Sequence, residues 1–199
     1  GTPGAVSTRV TLSILPGTYY TTSTIYIPSY STIRGSGVDK TIINYTPTSA
    51  NVTGQTVAST ASLLTPNATA SMLGYIVTGS GIPANTTVTT VSPGISLTLS
   101  NNATLTQNGT VFRVTSAAPA IQFINDDYPS NPSSTTQPRK VEFSNLTINI
   151  TTGLNTCLLL NSVRDSLFEN IKLSGGWAGD TISNPTSVFS NNSVGITMT

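Results

Sequence analysis

The sequence predicts an all-β chain whose two ends wind as coils of a single-stranded parallel β-helix, with a small antiparallel β module inserted between them. Three observations predict it. Polarity comes without charge: 8% of the 199 residues are charged. Ser, Thr and Asn instead make up roughly 40% of the chain, against a usual charged share of about 25%. A Phe-x-Asn motif recurs in the C-terminal third at spacings of about 25 and about 21 residues, the period of a solenoid. Short apolar runs bounded by Pro, Gly, Ser and Asn complete the pattern.

The composition suits strands because Thr is β-branched, and suits corners because Asn and Ser favour turns. Ala, Leu, Glu and Lys nowhere cluster with a 3.6-residue period, which argues against helices.

Residues 1–55 supply the first coils. Val10, Leu12 and Ile14 alternate with polar residues, as do Ile25 and Ile27, and further short runs surround Ile33 and Ile42. Residues 56–116 behave differently. Val88 and Val91, then Ile95, Leu97 and Leu99, then Val111, Phe112 and Val114 mark three or four strands. Ser92-Pro93-Gly94 and Asn108-Gly109 read as the turns between them. Asn125 to Arg139 is a polar loop broken by prolines, and the span 117–199 continues the solenoid.

The repeat fixes the later coils. Phe143-Ser144-Asn145-Leu146 returns as Phe168-Glu169-Asn170-Ile171 and again as Phe189-Ser190-Asn191. One column of Phe143, Phe168 and Phe189 is expected, beside an Asn ladder of Asn145, Asn170 and Asn191 hydrogen-bonded along the axis. Cys157 to Asn161 supplies a further strand, and Ser187 to Met198 the next coil. A coil that runs uncapped to the last residue predicts a section of a longer rod, or an end covered by partner subunits.

Composition also excludes chemistry. A formal charge of +1 with no basic run argues against nucleic-acid binding by phosphate neutralisation. No apolar stretch is long enough to cross a bilayer, and no signal peptide is visible. Histidine is absent, which removes Ser-His-Asp triads and the usual zinc sites. The single cysteine, Cys157, can form no intrachain disulfide and is expected in the core.

A glycosidase needs two carboxyl groups across a sugar linkage. Asp126 and Asp127 are adjacent, so on a strand they would face opposite sides. Asp165 and Glu169 lie close to Arg164 and Lys172, which suggests surface pairing. Glu142 and Asp180 complete the candidates. None is assigned as catalytic, and no metal or cofactor is expected. Carbohydrate binding is better supported. Trp177 lies in a Gly-rich loop with Asp180, and Tyr128 follows Asp126 and Asp127 in another. An aromatic face can stack on a sugar while an acid takes its hydroxyls.

The opening motifs resemble a known family. Pro16-Gly17-Thr18-Tyr19, Ile25-Tyr26-Ile27-Pro28 and Ile33-Arg34-Gly35-Ser36-Gly37 look like the first coils of the pectate-lyase-like superfamily, in the branch found in phage tailspikes and tail fibres. The coils from Val141 and Asp165 are similar to later coils of that family. The stretch from Gly74 to Thr104 resembles a small β repeat of phage fibre proteins. The resemblance implies a right-handed helix, a virion-surface location and a homotrimer beside other tail proteins. It also implies attachment to a host-surface glycan. Its rivals are the N-terminal part of a polysaccharide-degrading tailspike and a microbial adhesin. The family's N-terminal capping helix has no counterpart here.

Overall fold

The computed structural model describes residues 9–123, 140–151, 155–161, 164–174, 188–191 and 194–198. Among these the chain is all-β with a curled parallel sheet, and the helical content is a single 3-10 turn at Ala70–Met72. It divides into two compact units, Gly1–Thr46 with Ala118–Thr199, and Pro47–Ala117.

The chain opens with β1 (Val10–Ser13), β2 (Gly17–Thr21), β3 (Ile25–Ile27), β4 (Ser31–Arg34) and β5 (Thr41–Tyr45). The second unit carries β6 (Ser49–Thr56), β7 (Ser62–Leu64), β8 (Ile76–Thr78), β9 (Val88–Ser92), β10 (Ser96–Leu99) and β11 (Gln107–Thr115). The first unit then resumes with β12 (Ile121–Phe123), β13 (Glu142–Ile150), β14 (Leu158–Asn161), β15 (Arg164–Ser174), β16 (Val188–Asn191) and β17 (Val194–Met198).

Every pairing described in the first unit is parallel. One sheet runs β3-β12-β14-β16. The other runs β1-β4-β13-β15-β17, with β2 and β5 joining it along the second half of β13. The chain passes from the first sheet to the second in each layer: β3 to β4, β12 to β13, β14 to β15, β16 to β17. Like side chains therefore stack. Ile33, Phe143, Phe168 and Met198 share one register column.

Phe143 and Phe168 are buried there, and Phe123 meets both edge-on at ring-centroid distances of 5.8 and 5.1 Å. Such aromatic pairs contribute about 0.5–1.5 kcal/mol beyond the area they bury. Cys157 lies in the same core, as expected of a free thiol.

Left-handed residues turn the corners of these layers. Asn145 and Asn170 have φ of 59° and 50°, and the Asn170 amide donates to Asn145 Oδ1 at 2.8 Å. Asn tolerates this backbone region better than most residues. On the preceding layer the matching position is Gly35, which is not left-handed and is required by close contact instead. A Cβ on Gly35 would lie 2.2 Å from the Asn145 carbonyl oxygen, so only glycine fits. A second corner column holds Tyr30, Lys140 and Asp165, with φ of 58°, 53° and 48°.

Two expectations are corrected here. Phe189 lies in β16 opposite Leu159, while the partner of Phe168 is Met198. Asn191 accordingly pairs with Asn161 and is not a rung beside Asn145 and Asn170. The third motif copy repeats the letters but falls in the other sheet, because register follows corner length and not local sequence. Val10 and Leu12 face the same side as buried Ser31 and Ile33, yet are 59% and 50% exposed. Among the described residues β1 is the first strand of its sheet, with no layer paired beyond it.

The second unit is antiparallel, in the order β8-β11-β6-β7-β10-β9. Its outermost strands also meet. Val77 N–H donates to Thr86 O and Val88 N–H to Tyr75 O, both at 2.8 Å, beside a bridge between Ile76 and Thr87. The ends of the sheet thus meet over Tyr75–Val77 and Thr86–Val88, which shortens its open edges. Val52, Leu63, Val77, Leu97, Phe112 and Val114 form its core.

β6 pairs along β11, so this unit begins at Pro47 and not at residue 56. Asn108-Gly109 is not a turn between strands. It is a bulge inside β11, where the register slips between Gln107 and Thr110 and Gly109 takes φ of 66°.

Candidate functional site

Asp126, Asp127, Tyr128, Trp177 and Asp180 lie outside the described residues. Two other arrangements in the first unit bring polar groups together, one of them beside an aromatic ring.

The first is a row across the outward face of the curled sheet. Tyr20, Asn44, Asn149 and Ser174 occupy matching positions on β2, β5, β13 and β15. Inward neighbours explain the outward direction: Ile43 and Ile148 are buried in the core, and side chains alternate along each strand. Asn149 Nδ2 donates to Asn44 Oδ1 at 3.0 Å, and the Ser174 hydroxyl donates to Asn149 Oδ1 at 3.1 Å. Asn149 thereby keeps one N–H and one lone pair for another partner.

Tyr20 ends the row at 79% exposure, and its hydroxyl has no hydrogen-bond partner among the described residues. A row closer to the corner holds Thr147 and Lys172. There the Lys172 ammonium donates to Asp39 at 2.8 Å, and the Thr147 hydroxyl to the same carboxylate at 3.4 Å. This face combines an aromatic ring with a line of amides and hydroxyls. Such a surface stacks on and hydrogen-bonds to polyols.

The second arrangement is a cleft of about 420 Å³ at the corner where the chain enters β13 and β15, lined by Arg9, Lys140, Glu142, Asp165 and Ser166. Arg9 Nη2 forms an ion pair with Glu142 Oε1, and the Thr32 hydroxyl donates to Glu142 Oε2 at 3.3 Å. Ser166 is buried, and its Oγ accepts from Val141 N–H at 3.0 Å. Lys140 and Asp165 are exposed and left-handed, without ion-pair or hydrogen-bond partners among the described residues.

The side chain of Arg164, expected to pair with Asp165 or Glu169 at the surface, lies outside what the structure describes. Lys172 pairs with Asp39 instead of either acid.

A groove of about 430 Å³ at the first layer, lined by Leu12, Ile14, Leu15, Tyr19 and Ile25 among others, is mainly apolar. Among the described residues no group of three or more His, Cys, Asp or Glu side chains could hold a metal ion. No described helix is long and apolar enough to cross a membrane.

Sequence reasoning missed Tyr20 although a signal was present. In Tyr19-Tyr20 a strand must turn one ring inward and one outward, and the core-facing register of Ile43 decides which. The cleft had no local signal, since Arg9 and Glu142 are separated by 133 residues.

No family model matches this chain, and no curated protein matches it. Among solved structures it is similar to the Gp54 tailspike of Acinetobacter baumannii bacteriophage AP22, in complex with A. baumannii capsular saccharide. There the identity is 11% and the TM-score 0.29, over 94% of this chain and 41% of that one. It is also similar to the tailspike protein gp49 of Pseudomonas phage LKA1, at 12% identity and a TM-score of 0.28, over 83% of this chain and 34% of that one. The Pseudomonas phage phi297 tailspike gp61 matches at 14% identity and a TM-score of 0.30, over 94% and 35%. The chain spans well under half the length of each. Overlaps this loose carry no functional argument.

Proposed function

We propose that the chain is a structural, receptor-facing module of a viral tail fibre or tailspike that contributes to attachment to a host-surface glycan. The observation that carries this is Tyr20, free and 79% exposed at the end of the Asn44–Asn149–Ser174 row. A ring that can stack, beside amides with unused hydrogen-bonding capacity, is what a saccharide needs from a flat surface.

Parallel layers and the resemblance of the opening motifs support reading the first unit as a segment of a right-handed parallel β-helix, with 47–117 as an insert. Right-handed crossovers hold for nearly all parallel connections. In this reading the protein works as a homotrimer on the virion surface, beside other tail proteins. Asp126, Asp127, Tyr128, Trp177 and Asp180 add glycan contacts.

Incubating the full chain with host-surface polysaccharide tests the proposal. Tyr20→Ala should weaken binding by about tenfold, the loss of a stacked ring and its hydroxyl. Unchanged affinity would remove the proposed platform. A second reading, a polysaccharide-degrading protein, is favoured by one observation: Glu142 and Asp165 open on the same cleft. Sizing the polysaccharide after incubation separates the two, because shortened chains mean catalysis. A light-scattering mass of one 20.6 kDa chain would count against the trimer.

A further inference from the structure

We propose that Asn108 is a self-modification site, where the Gly109 backbone nitrogen attacks the Asn108 side-chain amide and leaves an aspartyl or isoaspartyl carboxylate. The site lies in the second unit and is independent of glycan binding.

The sequence singles out this pair. Asn108-Gly109 is the one place in the chain where Asn precedes Gly, and every other Asn is followed by a residue with a side chain. A Cβ on the following residue crowds the five-membered ring that the attack must close, and glycine has none. Asn counts among the thermolabile residues.

The fold leaves the pair open. In β11 the register steps from Gln107 opposite Thr56 to Thr110 opposite Gly54, so two residues stand against one. Such a bulge interrupts the ladder and leaves its extra residue unpaired. Both residues are exposed, and the Asn108 amide makes no hydrogen bond among the described residues. No heavy atom lies within 4 Å of where a Gly109 Cβ would sit. Gly109 has φ of 66°, and glycine passes between this region and the extended one without steric penalty.

Other asparagines of the unit lack these features. Asn101 Nδ2 donates to Thr86 Oγ1 at 3.3 Å. Asn85 precedes buried, β-branched Thr86, while Asn67 and Asn102 precede buried Ala68 and Ala103.

The chemistry balances with water alone. The Gly109 N–H gives its proton to hydroxide, and the nitrogen bonds to Asn108 Cγ. The Cγ–Nδ2 bond breaks and ammonia leaves. Water then opens the cyclic imide. Breaking the bond from nitrogen to Cγ gives aspartate. Breaking the bond to the main-chain carbonyl carbon gives isoaspartate, which lengthens the main chain by one carbon.

The product changes the electrostatics of the unit. Arg113 is the only charged residue of 47–117, so a carboxylate ionised near neutral pH cancels the formal charge of that span. Asn108 also lines two surface grooves, of about 590 and 540 Å³, which share Gln55 and Leu64. The reaction gives both an anionic wall.

The test incubates the folded full chain in mildly acidic and mildly alkaline buffer. Peptide mapping by mass spectrometry follows each Asn, and an isoaspartyl methyltransferase labels the isomerised product. The peptide holding Asn108 should exchange NH2 for OH before those holding Asn67 or Asn102, and faster in the alkaline buffer. Gly109→Ala should slow the exchange at least about tenfold, or about 1.4 kcal/mol in the barrier. Asn108→Gln, which would need a six-membered ring, should stop it. Circular dichroism verifies that each variant stays folded.

A folded chain that keeps its Asn108 amide, while the same peptide reacts in urea, overturns the proposal. Equal rates at Asn67, Asn102 and Asn108 overturn it as well, as does an unchanged rate in Gly109→Ala.

Discussion

β13 draws its partners from β4 and β5 on one side and β15 on the other, across long stretches of chain. Every strand of 47–117 finds its partners inside that span, and its first and last sheet positions join. Both units bury a full apolar core, but they treat edges differently. The antiparallel unit joins its two outermost strands through a short bridge at Ile76 and Thr87. The parallel unit depends on a neighbouring layer for every strand, so its first layer exposes Val10, Leu12 and Leu15. A stacked architecture is therefore extendable by construction, and a closed one is self-sufficient.

The sharpest way to break this comparison is to excise 47–117. The isolated segment is expected to unfold cooperatively, with coincident transitions by circular dichroism and fluorescence. A non-cooperative melt would mean that its closure does not confer independence.

Next in size is the stacked column. Phe143→Ala should lower the stability of the full chain by about 3–5 kcal/mol in a denaturant titration. A loss below about 1 kcal/mol would contradict a packed aromatic column.

A glycine pair sharpens the contrast further. Gly35→Ala forces a methyl group onto the Asn145 carbonyl at 2.2 Å and should cost at least about 1–3 kcal/mol. Gly109→Ala in the bulge meets open space, so only its φ of 66° resists the change, at roughly 1–2 kcal/mol. The order of the two is the prediction.

Asn170→Ala removes one ladder bond and a tolerant left-handed residue, for about 1–2 kcal/mol. Asn170→Gly keeps the corner and should lose less of it. Tyr20→Ala should leave stability within about 0.5 kcal/mol in a thermal melt. A larger drop would make Tyr20 a packing residue and weaken its assignment to binding.

Particular residues show how far the sequence was legible. The Phe-x-Asn repeat predicted that Phe143 and Phe168 stack, and they share a column 25 residues apart with Asn145 and Asn170 hydrogen-bonded beside it. Two copies with one spacing fix two layers. The third copy misled, because Phe189-Ser190-Asn191 sits in β16 and the column continues through Met198. Asn108-Gly109 misled for a related reason: the same dipeptide serves a turn or a bulge, and the partner strand decides.

By itself, the sequence determined strand content, the repeat and the lack of histidine in this chain, since these follow from residue type and local period. Only the tertiary structure decided which copies face each other, that 47–117 closes on itself, and that Arg9, Lys140, Glu142 and Asp165 share a cleft. The reason is physical. Parallel layers join residues through corners whose lengths vary, and contact across layers depends on accumulated register that no local pattern records.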